Sequence, residues 1–197
     1  MGTSHVVALI MAAGYSRRYG AADKRQERLA DGRTLLATTV ARTEQAFTQV
    51  RVAIREEDDA FQLGLTKSTP LIRLRQAHRG LGASLAEAVA ALDLDPFLQE
   101  TKAVAVLLAD MPRLHPKTLR ALQQSITHDT ICRPCYRGQP GHPVLFGRDF
   151  WSALTRISGE AGAQSLLRQY VSHYRTYDVE DAGVVLDIDT PAALAAL

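Results

Sequence analysis

Val6-Val7-Ala8-Leu9-Ile10-Met11-Ala12-Ala13-Gly14-Tyr15-Ser16-Arg17-Arg18-Tyr19-Gly20, followed shortly by Asp23-Lys24, decides how this chain is read. The β-branched, apolar run from Val6 to Met11 predicts a strand buried in a parallel sheet. It empties into small residues, which let backbone approach a ligand closely, and into a glycine, which admits the positive φ such loops often need. Exposed backbone N–H groups there, with Arg17, Arg18 and Lys24 close by, make a cradle suited to a polyphosphate. The patterns G-x-x-x-x-G-K-[ST] and G-x-G-x-x-G are both absent, which excludes the two commonest phosphate loops. Taken alone, the stretch also fits an ordinary arginine-bearing loop between a strand and a helix.

Outward from that loop, strands alternate with helices. Thr34 is placed to cap a helix through Leu35, Leu36, Val40 and Phe47, whose apolar spacing is helical. Val50–Ile54 reads as a second strand, Glu56–Asp59 as the opening of a short helix, and Leu71–Leu74 as a third strand. An alanine-rich helix over Leu85–Leu92 follows, then a strand over Val104–Leu108 and a helix entered at Pro116. Strands are expected at Thr130–Arg133, Pro143–Phe146, Tyr174–Val179 and Val184–Ile188. Helices are expected near Phe150–Leu154, over Ala161–Tyr170, and from Thr190-Pro191 onward. This alternation predicts a three-layer α/β/α sandwich on a Rossmann-like, mostly parallel sheet. No repeat, low-complexity tract or linker interrupts it, so residues 1–197 are read as one domain.

Bulk properties narrow the partners. With 46% hydrophobic and 22% charged residues, the composition is that of an ordinary soluble protein. A net charge of +2 is too small to argue for nucleic acid or an anionic membrane. No apolar run approaches the ~20 residues of a membrane span. The first apolar run lacks a basic leader, so no signal peptide is expected and the protein is read as cytoplasmic. Cys132 and Cys135 form a C-x-x-C without a second pair to complete a zinc site. They read as reduced thiols without a role.

Several residues invite chemistry. Asp110 follows Val106-Leu107-Leu108-Ala109, and a carboxylate at the end of a buried strand is costly unless it is paired, caps a helix or binds metal. Asp187 and Asp189 sit two apart in Leu-Asp-Ile-Asp-Thr-Pro, so an extended strand would turn both to one face. Asp189 equally suits the cap of a final helix. Gly80, Gly82 and Ser84 fall in Gly-Leu-Gly-Ala-Ser-Leu, where the glycines would admit a flat base and Ser84 would cap the next helix. His142 is held between Gly141 and Pro143, as suits either a structural or a substrate role. Gly159-Glu160-Ala161-Gly162-Ala163 precedes a helix start that offers an anion site for an acceptor phosphate.

Ala-Ala-Gly-Tyr-Ser-Arg-Arg-Tyr-Gly with a lysine soon after resembles A-[AG]-G-x-S-x-R-x-G-x-x-K, the signature of the MobA-like nucleotidyltransferases. Leu-Ala-Asp110-Met-Pro is similar to their L-[GA]-D-x-P, and Gly80–Ser84 to their G-[ML]-G-x-S. Gly138–Val144 looks like G-x-x-G-H-P-V, Gly159–Ala163 like G-[DE]-x-G-[AS], and Asp187–Pro191 like D-I-[DG]-T-P. These motifs run in family order along nearly the whole chain. The resemblance implies the nucleotide-diphospho-sugar transferase type of fold and a Mg²⁺-dependent transfer of a nucleoside monophosphate from an NTP to a phosphate, with release of pyrophosphate.

It implies Asp110 and Asp187 as metal ligands, and Arg18, Lys24 and Asp110 as the catalytic set. Ala12, Ala13, Gly14, Ser16, Arg17, Gly80, Gly82 and Ser84 would bind nucleotide, and Gly141, His142 and Gly162 the acceptor. No general base is required, because a phosphate acceptor is already ionised at neutral pH. Ala-Ala-Gly resembles the cytidylyltransferase branch, which implies CTP and a molybdopterin-type acceptor. The alternatives are GTP with the same acceptor, or CTP with another phosphate. A non-catalytic chaperone that delivers cofactor to a client molybdenum enzyme is a different class of function. Lys24 lies one residue further from Gly20 than the family spacing has it.

Overall fold

The fold is described from a computed structural model, which places residues 5–15, 19 and 23–188. Strand β1 (Val6–Met11) is buried along its whole length because it has a strand on either side and a helical layer on either face. Its alternation assigns those faces. Val6, Ala8 and Ile10 pack with Leu36, Val40, Leu119 and Leu122. Val7, Leu9 and Met11 pack with Leu85, Val89, Leu92, Trp151 and Leu154. Helices α1 (Leu35–Glu44) and α3 (Pro116–Ser125) therefore cover one face, and α2 (Leu81–Asp93) and α4 (Trp151–Leu154) the other.

Strands β2 (Gln49–Arg55), β3 (Leu71–Leu74) and β4 (Ala103–Leu108) join β1 in parallel, in the order β3-β2-β1-β4. Beyond β4 the sheet becomes mixed. β7 (Val144–Gly147) runs antiparallel between β4 and β5 (Ile131–Tyr136), while β8 (Tyr174–Asp178) runs parallel to β5. Arg137 and Gly138, both with positive φ (49° and 80°), turn β5 into the short β6 (Gln139–Pro140). Such φ values at both central residues are what a tight two-residue hairpin demands. The protein is thus a three-layer α/β/α sandwich with a mostly parallel sheet.

Local chemistry accounts for the helix starts. Thr34 Oγ1 accepts from Ala37 N (3.1 Å), capping α1 as its sequence predicts. Pro116 occupies the first turn of α3, where its missing N–H costs nothing, and His115 Nδ1 accepts from Lys117 N.

Three expected elements differ. Glu56–Asp59 forms a turn rather than a helix, because Asp58 turns back to accept from Arg55 N and from two guanidinium groups. The predicted strand at Val184–Ile188 is a 3₁₀ turn over Ala182–Val185 followed by irregular chain. Asp181 caps that turn, and Gly183 is pressed so close to the Arg113 carbonyl that a Cβ would sit 2.3 Å from its oxygen. The helix expected over Ala161–Tyr170 is only α5 (Gln164–Gln169), since Gly159 (φ 76°) and Gly162 (φ 55°) hold the preceding segment in turns. The helix expected from Thr190 lies outside the described residues. Cys132 and Cys135 are free and buried on β5, where a three-residue offset puts them on opposite faces.

Candidate active site

A cavity of about 430 Å³ opens where β1 and β4 end and α2 begins. Ligands of open α/β sheets gather at such carboxyl ends. Its floor includes Ala12 and Ala13, and Ala12 N extends the β1–β2 ladder by donating to Ala53 O. Gly14 lines the cavity too, and among the described residues a Cβ there would meet nothing within 4 Å. Tyr19 is buried in the wall, and burial raises its phenol pKa. Ser16, Arg17 and Arg18 lie outside the described residues.

Asp110, two residues beyond β4, lines the cavity together with Lys24. Lys24 Nζ donates to Asp110 Oδ2 (2.5 Å) and to the Ile188 carbonyl (2.9 Å). Ile188 N in turn donates to Asp110 O, so three distant parts of the chain are fastened together here. Asp110 Oδ1 is buried and has no hydrogen-bond partner among the described residues. Burial raises the carboxyl pKa of Asp110 against the pull of Lys24, and the charge of Asp187 pushes the same way as burial. Asp187 itself is exposed. The extended strand expected to aim Asp187 and Asp189 at one face does not exist, and Asp189 lies outside the described residues. Asp187 instead comes near Asp110 because the neighbouring Ile188 is bonded to both Lys24 and Asp110.

The Gly80–Ser84 segment differs from expectation in detail. Gly80 and Ser84 line the cavity, whereas Gly82 does not. Both glycines admit the Ser158–Gly159 backbone: a Cβ on Gly80 or Gly82 would come within 2.8 or 2.7 Å of it. Gly82 N donates to Gly159 O (2.7 Å). The close approach read as room for a base is therefore met by protein. Ser84 is not the cap, since α2 already starts at Leu81, and its Oγ donates back to Gly80 O (3.0 Å).

A second, smaller cavity of about 140 Å³ adjoins the first, sharing Met11, Leu81 and Leu108 with it. His142, Gly162 and Arg133 line it, among apolar side chains. Burial, and next the nearby Arg133 charge, lower the His142 pKa from 6.5 to about 4, so the ring is neutral at neutral pH. Its Nδ1 is buried and has no partner among the described residues. Gly141 does not reach the cavity, because it lies against Val184, whose carbonyl oxygen would be 2.2 Å from a Cβ. The helix expected to offer an anion site after Gly162 begins later than the sequence suggests. α5 starts only at Gln164, is six residues long and has no side-chain cap.

Sequence reasoning missed Arg25. This arginine is 3% exposed and bonds to Asp23, Asp58 and the Ala12 carbonyl, while Arg55 binds the same two aspartates and lies over the Tyr15 ring. The available signal was compositional: Asp23/Arg25 and Arg55/Asp58 each pair an acid with an arginine a few residues away.

The mostly parallel sheet, with a ligand-sized cavity at the end of its first strand and a buried carboxylate at the end of its fourth, is a fold of the nucleotide-diphospho-sugar transferase type. More narrowly, the chain belongs to the MobA-like NTP transferase domain family, whose model matches residues 8–174. It is 35% identical over 83 residues to the molybdenum cofactor cytidylyltransferase of Escherichia coli (strain K12), an alignment spanning 42% of this chain and 41% of that protein. Over 99% of its length it resembles the Mycobacterium sp. strain JC1 homolog of Mycobacterium tuberculosis Rv0371c (27% identity, TM-score 0.84, 98% of that chain). It also resembles Rv0371C of M. tuberculosis H37Rv, solved in complex with manganese (25% identity, TM-score 0.78, 98% of this chain and 97% of that one). Among the described residues, no helix is long and apolar enough to cross a membrane.

Proposed function

We propose that this protein transfers CMP from CTP to a molybdopterin-type phosphate acceptor. An acceptor phosphate oxygen bonds to the α-phosphorus in line, the bond from that phosphorus to the bridging oxygen breaks, and pyrophosphate leaves. The observation that carries the reading is Asp110: a buried carboxylate with one oxygen on Lys24 and the other without a partner among the described residues, beside the loop that follows β1. A bare buried oxygen is costly unless a ligand satisfies it. It suits Mg²⁺, which takes one or two carboxylates together with phosphates and water. Asp110, with Asp187 as the second carboxylate, would hold that ion, whose chemistry is to neutralise phosphate charge and orient the oxygens.

The protein's own part is positioning and charge compensation. The backbone of Ala12, Ala13 and Gly14 cradles the phosphates, joined by Ser16 and Arg17. Lys24 and Arg18 offset the charge that grows on the transferred and leaving phosphates. Gly80 and Ser84 border the nucleoside, with Gly82 shaping their turn. His142 and Gly162 receive the acceptor in the adjoining cavity, and Gly141 fixes the approach of His142. A cavity of about 430 Å³ is within the usual range for small-molecule sites. CTP is favoured over GTP by Ala12-Ala13-Gly14 and by the partial cytidylyltransferase relative. Delivery to a client molybdenum enzyme in the cytoplasm would follow from that product.

Pyrophosphate release with each of the four NTPs, Mg²⁺ and molybdenum-loaded molybdopterin tests this. Release with CTP, abolished in Asp110→Ala, is the expected result. A preference for GTP would overturn the nucleotide assignment, and silence with all four would overturn the activity.

A further inference from the structure

Arg25 is spent entirely inside the protein. An arginine has five N–H donors in a rigid fork. Here Nε and one Nη2 hydrogen go to Asp23 (2.9 and 2.5 Å), and the other Nη2 hydrogen and one Nη1 hydrogen go to Asp58 (2.9 and 2.6 Å). The remaining Nη1 hydrogen goes to the Ala12 carbonyl (2.5 Å), the first residue past β1. Arg55 binds both carboxylates from the end of β2, through Asp23 Oδ2 (3.1 Å) and Asp58 Oδ1 (3.0 Å). Two guanidinium groups thus face two carboxylates, and the cluster's own charges cancel. It contributes little field to the cavity, so what it contributes is geometry.

That geometry bears on one side chain. Lys24 lies between Asp23 and Arg25, both held in the cluster, in a 3₁₀ turn that Asp23 caps through Arg25 N. Its ammonium must reach Asp110, which is 86 residues away in sequence. The Ala12 carbonyl is the fixed point from which the fork measures that reach. We infer that Arg25 is a positioning residue for the transfer reaction: it bolts the turn carrying Lys24 to the end of β1 and so sets where the ammonium meets Asp110 and the phosphates.

The inference rests on the nucleotidyltransferase reading, and pyrophosphate release with MgCTP and acceptor, measured alongside wild type, tests both. Arg25→Lys keeps the charge, but a single ammonium cannot span Asp23, Asp58 and the Ala12 carbonyl. Its kcat should fall on the order of 100-fold, as a displacement of about 1 Å can cause, while KM for CTP stays within about threefold. In a Lys24→Gln background the same substitution should leave kcat unchanged, because Arg25 acts through Lys24. Arg25→Lys with wild-type kcat, or a full further loss in the Lys24→Gln background, overturns the inference. Should Arg25→Lys fail to fold by thermal melting, Asp58→Asn keeps the shape and loosens one arm of the fork. A kcat loss of roughly tenfold at unchanged KM is then expected, and wild-type kcat would refute the role. A silent wild-type enzyme would bring down the reading itself, and this inference with it.

Discussion

Two buried ionic arrangements lie side by side at the end of β1, and they are built to opposite rules. In the Asp23–Arg25–Arg55–Asp58 cluster each Arg25 donor has an acceptor, and the Arg25 and Asp58 side chains are only 3% and 8% exposed. In the Lys24–Asp110 pair one carboxylate oxygen is bonded and the other has no partner among the described residues. A fully satisfied buried network holds structure in place, whereas a half-satisfied one is costly to keep. The difference separates scaffold from proposed site: the first arrangement is finished by the protein, and under the proposed function the second would be finished by the ion that Asp110 holds.

Substitutions should dissociate the two. Asp110→Asn keeps the shape but loses the charge, and kcat for nucleotidyl transfer should fall by about 10³-fold or more. Its stability should change by less than about 1 kcal/mol, because the asparagine relieves the buried, half-satisfied carboxylate while Lys24 keeps the Ile188 carbonyl. Urea unfolding and pyrophosphate release on the same preparation check both halves. Asp58→Ala should do the reverse. It strands two arginines against one remaining aspartate and should cost about 3 kcal/mol in urea unfolding. Its activity loss should stay well below that of Asp110→Asn. If Asp58→Ala proved the more damaging to turnover, the division into scaffold and site would be wrong.

How much of this the sequence discloses depends on how far away the partners are. β1 is legible because its pattern is local: six apolar residues alternate between two faces, and both faces are covered. Asp110 is legible because a carboxylate after a buried strand needs an explanation whatever the fold. Arg25 is less so: Asp23 is two residues away, but its other two acceptors lie 13 and 33 residues away in sequence and only tertiary structure brings them in. Gly80 and Gly82 show that something must come close, but not that it is the Ser158–Gly159 backbone. The segment before Asp187 looks like a strand by hydropathy. It is wound into a 3₁₀ turn by Asp181 and by the fit of Gly183 against the Arg113 carbonyl, contacts that no local pattern records.

His142 extends the comparison to the second cavity, where a titratable ring is buried near an arginine. Its pKa is lowered from 6.5 to about 4, first by burial and then by Arg133. The folded state therefore prefers the neutral ring, and the stabilisation is complete above pH 6.5. As pH falls below 6.5 the unfolded chain takes up the proton first, so stability declines toward pH 4 and levels off below it. At about 1.4 kcal/mol per pH unit the loss is at most about 3.5 kcal/mol. Urea unfolding between pH 4 and 7 should show this slope in wild type and lose most of it in His142→Gln. An equal slope in both would mean that the ring is not buried as neutral imidazole.

The smallest effect supplies the control. Arg33 and Asp31 form an ion pair of the same chemistry as the Arg25 fork, with Arg33 Nη2 2.6 Å from Asp31 Oδ2, but the two side chains are 53% and 45% exposed. Hydrogen bonds from Arg33 lower the Asp31 pKa. In water, however, such a pair gives back in side-chain ordering and salt screening most of what it gains in attraction. Asp31→Asn should therefore leave both the melting temperature and turnover where they are in wild type, at low and at high salt. The contrast with Asp58→Ala then sets an exposed single pair against a buried cluster in which one aspartate serves two arginines. A drop in stability from Asp31→Asn comparable to that from Asp58→Ala would show that ion pairing alone, rather than burial and complete satisfaction of the fork, makes the Arg25 cluster rigid.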